Sequence, residues 1–147
     1  MLAEFQQALA DLTASPALVA QVRAEPGVLR ERYQLTEREL QRLLGIARHP
    51  GMRCACMVYR SNRLAPLALN TPETCRALGP QLREVVEAFW AAYPETNVHF
   101  FVETDRFCRF LHARIAQGLE VPPAVPAALA REAAAVAAAL EESHTEA

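Results

Sequence analysis

The residues best suited to bind another molecule lie in a short stretch between positions 53 and 63. They are arginines and hydrogen-bonding side chains: Arg53, Tyr59, Arg60, Asn62 and Arg63. Arginine and tyrosine combine planar area with directional donors, and both are enriched at the energetic centres of protein interfaces. In a helix, Arg53 and Arg60 share one face because they lie seven residues apart. The stretch therefore predicts a surface that docks a peptide or a protein.

Two other interpretations of these arginines stay open. The first is a solvated helix surface, or pairing with carboxylates elsewhere in the chain, such as Glu84, Glu87 or Glu103. The second is a small helical DNA-binding or regulatory domain in which Arg53 to Arg63 contacts phosphates. The net charge of −2 argues against nucleic acid as a partner, because phosphate contacts dominate such binding.

Cysteine and histidine pairs offer another chemistry, the binding of a soft metal ion. Cys108 and His112 are four residues apart, which brings both side chains to one helix face. Cys54 and Cys56 are two apart, so in a helix they point about 200° from each other and do not share one ion. A small thiol between two phenylalanines is most often a buried apolar group. We therefore expect no metal and no cofactor, with a soft-metal protein using Cys54, Cys56, Cys108 and His112 as an alternative.

The sequence contains none of the short motifs that mark common catalytic sites. It has no glycine-rich phosphate loop, no serine nucleophile elbow and no HExxH zinc motif. Its carboxylates are scattered over predicted helix surfaces rather than paired. We therefore predict no catalytic residue, although a Ser/His/Asp set assembled in space stays open because such triads need no fixed spacing in sequence.

Helical periodicity dominates the chain, and no segment alternates over the length of a strand. Thr36 and Glu39 predict a capping box at the start of one helix. Ser15 precedes Pro16, which is the arrangement of a capped helix with proline in its first turn. These signals predict an all-α fold, a compact bundle of about six to eight helices with an alanine-rich helix at its C-terminal end.

The helix that carries the arginines should begin near Gly51 and run to about Ala65, where Pro66 either ends or kinks it because proline lacks an N–H group. Two stripes of apolar side chains at helical spacing should form the core behind it. The first consists of Leu82, Val85, Val86, Phe89, Trp90 and Tyr93. The second consists of Val98, Phe101, Val102, Phe107, Phe110, Leu111 and Ile115. Gly118 should cap the helix that carries the second stripe.

The composition changes after Gly118. Residues 119–125 have the character of a linker, and a mostly alanine helix follows from Pro126. Alanine has the highest helix propensity but little apolar surface to bury. We therefore predict a helical domain over residues 1–118 and a tail over residues 119–147 that docks weakly or protrudes, and that is dispensable for the folding of the rest.

The N-terminal segment Met1–Leu12 is amphipathic and lacks the basic and apolar regions of a secretory signal. No apolar run approaches the roughly 18 residues of a membrane-spanning helix. In such a chain, four scattered cysteines are expected to be reduced thiols. We therefore expect a cytoplasmic protein without a membrane partner.

Residues 58–111 carry four short motifs in a fixed order. They are Tyr59-Arg60-Ser61-Asn62, Leu78-Gly79, Ala92-Tyr93-Pro94 and Phe107-Cys108-Arg109-Phe110-Leu111. In this combination the segment resembles the helical partner proteins of multinuclear non-haem iron oxidases that modify peptides. Such partners occur in operons for ribosomally made peptide products of the methanobactin and bufferin types. The third motif departs from the family's pattern, because Tyr93 is followed directly by Pro94.

Two further features bear on this resemblance. The family often carries a second, C-terminal domain, whereas this chain continues with the linker and the alanine-rich helix. The first 50 residues contain Ser15-Pro16-Ala17-Leu18 and later Tyr33-Gln34-Leu35-Thr36-Glu37-Arg38-Glu39-Leu40. In these motifs they are similar to small helical subunits of ring-cleaving dioxygenases and to some leader peptides.

The resemblance implies a role beside an enzyme. The oxidase would supply the iron and the oxygen chemistry, and this chain would hold the leader of the precursor peptide or complete the entrance to the oxidase's active site. Holding the leader raises the effective concentration of the modifiable residue at the iron. The expected partners are a multinuclear iron oxidase and a ribosomally made precursor peptide. The residues expected to contact them are Tyr59, Arg60, Asn62, Arg63 and Arg53.

Overall fold

The computed structural model describes residues 2–145, and the regular elements in that range are all helical. Within it, eight α-helices have seven residues or more, and one further helix, α3, has five. In chain order they are α1 (Leu2–Ala14), α2 (Pro16–Ala24), α3 (Val28–Arg32), α4 (Glu37–Arg48), α5 (Gly51–Asn70), α6 (Pro72–Leu78), α7 (Leu82–Ala92), α8 (Phe100–Ala116) and α9 (Val125–Thr145). A short 3-10 helix, Gly79–Gln81, lies between α6 and α7. The predicted all-α fold is confirmed.

The chain divides into two compact units inside α5. The first unit ends at Ser61 and the second begins at Asn62. This division differs from the predicted one after Gly118, because α9 belongs to the second unit. Each unit has a hydrophobic core of its own.

Helices of the first unit begin where their sequence signals predict. Ser15 Oγ accepts the Leu18 N–H at 3.1 Å, and Pro16 is the first residue of α2. Thr36 Oγ1 accepts the Glu39 N–H at 3.3 Å, and a Glu39 carboxylate oxygen accepts the Thr36 N–H at 2.8 Å. Such caps contribute about 1 kcal/mol each, because they satisfy N–H groups that a helix end leaves without a partner.

The core of the first unit anchors the beginning of α5. Its fully buried side chains come from α1, α3 and α4: Ala8, Leu12, Leu29, Leu43 and Ala47. Cys56 of α5 joins this core, and its thiol donates a hydrogen bond to the Leu12 carbonyl at 3.4 Å. Arg23 Nε donates to the Ala47 carbonyl at 2.6 Å and ties the end of α2 to the end of α4. The first half of α5 therefore has one face turned inward.

α5 continues through Pro66 to Asn70, so the alternative that Pro66 ends it near Ala65 is wrong. A proline inside a helix removes one helical hydrogen bond. Contacts within the second unit compensate, because the Pro66 carbonyl accepts the Thr104 hydroxyl at 3.2 Å and Leu67 is fully buried. Packing against α8, which the sequence around Pro66 does not reveal, extends the helix.

Phe89 lies at the centre of the second unit's core. Its ring centroid is 5.3 Å from that of Tyr93, 5.4 Å from Phe107 and 5.6 Å from Phe110. These separations are the ones that aromatic pairs prefer. Phe89 and Phe107 are fully buried, whereas Phe110 is partly buried. The two predicted apolar stripes therefore meet through their aromatic residues.

The two ends of α8 differ in how well the sequence predicts them. α8 begins at Phe100, so Val98, which was predicted to belong to this core helix, lies before it and is 95% exposed. At the other end, Gly118 has a φ of 101°, a conformation that glycine adopts without strain. The Leu119 N–H then reaches back to the Arg114 carbonyl at 2.9 Å. This backbone arrangement closes the helix, and the predicted cap is confirmed.

α9 packs against α6 and α8 and contributes to the core of the second unit. Val125 is fully buried and Leu129 is 3% exposed. The Glu132 carboxylate accepts the N–H groups of Glu73 and Thr74 at 2.8 and 2.9 Å and so caps the start of α6. The expectation of a weakly docked tail is therefore wrong, because polar contacts reinforce the small apolar area that alanine supplies.

Candidate functional site

The five predicted binding residues all lie on α5, but their exposure differs. Arg53 and Asn62 are exposed, Tyr59 and Arg60 are half-buried, and Arg63 is buried. Arg53, Tyr59 and Arg60 belong to the first unit, and Asn62 and Arg63 belong to the second. The predicted stretch therefore contains an accessible part and one arginine that is turned into a core.

Arg63 forms a buried ion pair with Glu103 of α8. Its Nη2 and Nε atoms lie 2.7 and 3.2 Å from Glu103 Oε1. Only 3% and 0% of the two side chains are exposed. The guanidinium carbon lies 5.8 Å from the ring centroid of Phe89 and 5.7 Å from that of Trp90. The second Glu103 oxygen accepts the Asn97 N–H at 3.2 Å.

The prediction that Arg63 contributes to an exposed docking surface is therefore wrong. A lone guanidinium would be costly to bury, and the Glu103 carboxylate supplies the opposite charge that makes burial tolerable. Two aromatic faces add cation–π contacts. Of the alternatives that the sequence left open, pairing with Glu103 is the one that this arginine adopts. Within the second unit, Arg63 holds the second half of α5 against α7 and α8.

Beside Arg53, α5 exposes two apolar side chains and a thiol. Met57 and Val58 expose 61% and 56% of their surface, and Cys54 is an exposed thiol. Arg53 and Met57, and likewise Cys54 and Val58, lie four residues apart and follow each other on successive turns. We call Arg53, Cys54, Met57 and Val58 the α5 face. Exposed apolar side chains grouped on one element are typical of interaction surfaces.

Sequence reasoning missed Met57 and Val58, because it gave weight to the arginines and to hydrogen-bonding groups. Their exposure follows from which side of α5 packs inward, and the structure shows that side. Met52 and Cys56 are four residues apart and both are buried, so they mark the inward side of the helix. Each following residue turns by about 100°, which carries positions 57 and 58 away from that side.

The charged side chains of α5 are all positive and lie in its first two thirds. The helix has three arginines and no aspartate or glutamate in its 20 residues. Glu103 neutralises Arg63, whereas Arg53 is exposed. Burial raises the pKa of the Cys56 thiol, and the nearby Arg60 offsets that rise only in part. The α5 face therefore suits a partner segment that has both apolar and acidic side chains.

The cysteines are free thiols in four different settings. Cys54 is exposed and Cys56 is buried, which agrees with their two-residue spacing on a helix. Burial raises the pKa of Cys108 to about 12, so this thiol stays protonated near neutral pH and is a poor metal ligand. Among residues 2–145, no group of three or more His, Cys, Asp or Glu side chains is placed to hold a metal ion. The described side chains therefore give the soft-metal alternative no support.

A polar cavity of about 510 Å³ lies in the first unit, around the connection between α3 and α4. The Tyr33 hydroxyl donates to Asp11 Oδ2 at 2.5 Å. Burial, followed by this hydrogen bond, raises the pKa of Tyr33 to about 12. The Gln34 N–H donates to Glu4 at 3.3 Å. These bonds tie α1 to the segment after α3, so the residues of the cavity have a structural use.

No protein-family model, curated protein or solved structure matches this chain. None of the helices within residues 2–145 has the length and apolar character needed to cross a bilayer. The α5 face combines exposed apolar side chains with a cation on one regular element. It is therefore the candidate functional site.

Proposed function

We propose that this protein is a non-catalytic accessory protein that docks a partner enzyme through the α5 face. The observation that carries the proposal is the exposure of Met57 and Val58 beside Arg53, on a helix without carboxylates. The class of partner comes from the resemblance of residues 58–111 to the partner proteins of multinuclear iron oxidases. The partner is then an iron-dependent oxidase that modifies a ribosomally made precursor peptide.

The α5 face supplies both an apolar and an electrostatic contribution to such a contact. Burying a valine or methionine side chain completely contributes about 1.5–3 kcal/mol relative to leaving it in water. Arg53 adds a planar, bidentate donor for a carboxylate on the partner, which favours the correct orientation and faster association. Arg60 lies seven residues after Arg53, on the same side of the helix and in the same unit, and would contribute at the edge of the contact.

In this role the chain brings the precursor peptide to the oxidase and does not itself catalyse the oxidation. The oxidase holds the iron and carries out the oxidation of the precursor peptide. The accessory protein keeps the peptide and the enzyme together, which raises the effective concentration of the reacting residue. The chain alone should therefore show no oxidase activity.

We expect that an iron oxidase and a short precursor peptide are encoded beside this chain, and that the oxidase binds it. Isothermal titration with the purified oxidase should detect a complex with the wild type. Val58→Asp should weaken binding by at least about tenfold, because it places a charge in a contact from which water is excluded. Arg53→Glu should weaken binding more than Val58→Asp does. It should also make the affinity for the oxidase less dependent on salt concentration.

Arg83→Glu provides the matched control. Arg83 is exposed on α7, so this variant makes the same charge change as Arg53→Glu away from the α5 face. It should bind like the wild type, and thermal unfolding should show that every variant is folded. Absence of binding by the wild type, or equal binding by Val58→Asp, would contradict the proposal.

A further inference from the structure

The turn between α4 and α5 is rich in positive charge. From residue 40 to residue 72 the chain contains no aspartate or glutamate, and it has five arginines there. Two of them, Arg48 and Arg53, are exposed and lie on either side of the turn. Arg23, the last arginine of α2, reaches the same turn. We call Arg23, Arg48 and Arg53 the basic corner, and all three belong to the first unit.

Arg23 is fixed at the end of α4 and keeps its charge. Its Nε donates to the Ala47 carbonyl at 2.6 Å, and its Nη2 lies 3.5 Å from the His49 carbonyl oxygen. Carbonyl groups carry no formal charge, so these bonds orient the guanidinium without neutralising it. Burial raises the pKa of the Cys56 thiol, and the charges of Arg60 and then Arg23 oppose that rise. The charge of Arg23 therefore acts on α5 as well.

Hydrogen bonds within the turn hold its backbone in one arrangement. His49 Nδ1 accepts the Gly51 N–H at 3.0 Å, and the His49 carbonyl accepts the Met52 N–H at 3.1 Å. The Pro50 carbonyl accepts the Arg53 N–H at 3.4 Å. The first three N–H groups of α5 therefore have acceptors inside the turn. Arginines on a backbone that is already ordered lose less conformational freedom when they bind a partner.

The three helices that carry the basic corner have few carboxylates near it. α5 has no acidic residue in its first turn, where the positive end of its dipole lies. Glu37 and Glu39 are in the first turn of α4, so nine residues, or about 14 Å of helix, separate Glu39 from Arg48. That distance exceeds the screening length of about 8 Å at physiological salt. Glu25, at the end of α2, is exposed and two residues from Arg23. Three arginines and this one glutamate still leave a local charge of +2.

We propose that the basic corner binds an acidic segment of a partner protein, whose carboxylates pair with Arg23, Arg48 and Arg53. Arginine offers a planar pair of donors that matches a carboxylate. Arg53 also belongs to the α5 face, so a segment that is acidic at one end and apolar at the other would cover both surfaces. The proposal thus rests on the proposed function and specifies the chemistry of the docking segment.

A short acidic segment fits these charges better than a nucleic acid does. A nucleic acid carries a phosphate at every nucleotide, so it gains most from a protein with widely distributed positive charge. Here the whole chain has a net charge of −2, and without the three arginines of the basic corner it would be −5. A polyanion longer than the corner would therefore be repelled by the rest of the chain.

The test uses the full chain and a synthetic peptide. The probe is a fluorescein-labelled peptide of about ten residues in which glutamate and serine alternate, so it offers carboxylates but no apolar side chains. Fluorescence anisotropy in about 50 mM salt should show binding with a Kd below about 100 µM, and about 0.5 M salt should weaken it at least tenfold. The same peptide with lysine in place of glutamate should bind at least about tenfold more weakly. A single-stranded DNA of about ten nucleotides should also bind more weakly than the glutamate peptide.

Paired variants localise the peptide. Arg48→Gln with Arg53→Gln removes two charges and should weaken binding by at least about tenfold, whereas Arg48→Lys with Arg53→Lys keeps them and should stay within about threefold of the wild type. The matched control is Arg76→Gln with Arg83→Gln, which removes two exposed arginines of the second unit and should bind like the wild type. Circular dichroism should confirm the helical content of every variant. No binding by the wild type, equal binding by the lysine peptide, tighter binding of the DNA, or the same loss in both glutamine pairs would overturn the inference.

The outcomes are separable from those of the oxidase titration. The glutamate peptide has no apolar side chains, so its binding does not depend on Met57 or Val58. If the peptide binds and the oxidase does not, docking of the oxidase is wrong and the basic corner stands. If the oxidase binds and Val58→Asp weakens it, but the peptide does not bind, the basic corner is wrong and the α5 face stands.

Discussion

The Arg63 side chain carries its charge into the core of the second unit, where one carboxylate and two aromatic rings surround it. Taking both charges out of water costs several kcal/mol, and their attraction roughly offsets this. The pair therefore adds little net stability. Its members depend on each other, because either one alone would be an uncompensated buried charge.

Glu103→Leu should lower the free energy of unfolding by about 3–5 kcal/mol, because it leaves the Arg63 guanidinium buried without a counter-charge. Urea denaturation measures this loss. The double variant Arg63→Met with Glu103→Leu should recover most of it.

Asp105→Asn is the control for that experiment. Its partner Arg109 is largely exposed, so losing this ion pair should change the free energy of unfolding by less than about 1 kcal/mol. If Glu103→Leu cost no more than Asp105→Asn, the buried pair would be absent in solution.

The exposure of single residues was only partly predictable from the sequence. The helical spacing of Cys54 and Cys56 predicts that one is outside when the other is inside, and this is what the structure shows. The burial of Arg63 depends on Glu103, 40 positions further along the chain. Before the fold is known, Glu84 and Glu87 are equally good partners, so local sequence does not decide the pairing.

Elements were best predicted where a local signal determines the helix end. The capping box of Thr36 and Glu39 and the glycine cap at Gly118 depend on residues within one turn of the end. The continuation of α5 through Pro66 depends instead on contacts with α8. The docking of α9 likewise depends on Glu132 reaching α6. Long-range contacts of this kind leave no local sequence signal.

Leu129→Ala should test whether α9 is a core element. We expect a loss of about 2–5 kcal/mol in the free energy of unfolding, because the change opens a cavity beside buried Val125. A chain that ends at Gly118 should lose more helical circular dichroism than the deleted residues contribute. Urea unfolding measures the loss of free energy in Leu129→Ala. Far-ultraviolet circular dichroism measures the loss of helix in the shortened chain.

The control for this prediction is Ala134→Gly, at an exposed position of the same helix. It tests helix propensity alone and should cost about 1 kcal/mol. Two results would instead support the prediction that the tail is dispensable. They are an unchanged unfolding midpoint for Leu129→Ala and full retention of the remaining helices after truncation.

At the scale of the whole molecule, the chain divides into two units, and each has its own hydrophobic core. The α5 face lies in the first unit. Composition and periodicity were sufficient to predict an all-α fold, and the predicted arginine stretch lies on α5. The apolar part of the face was missed, because whether methionine and valine are core or surface depends on which side of α5 packs inward.

The most direct test of docking at the α5 face is the rate at which Cys54 is alkylated. In the free protein, Cys54 should react first because it is exposed. Cys108 should react last, because burial raises its pKa to about 12. At pH 8 a thiol with so high a pKa is almost entirely protonated, and the thiolate is the reactive form.

Mass spectrometry after a timed pulse of iodoacetamide then compares the free protein with its complex with the neighbouring iron oxidase. In the complex, alkylation of Cys54 should slow by at least about tenfold, because the partner covers it together with Met57 and Val58. Cys75, half-buried in the second unit, is the internal reference and should keep its rate. An unchanged rate at Cys54, in a sample that titration shows to be fully bound, would contradict docking at the α5 face.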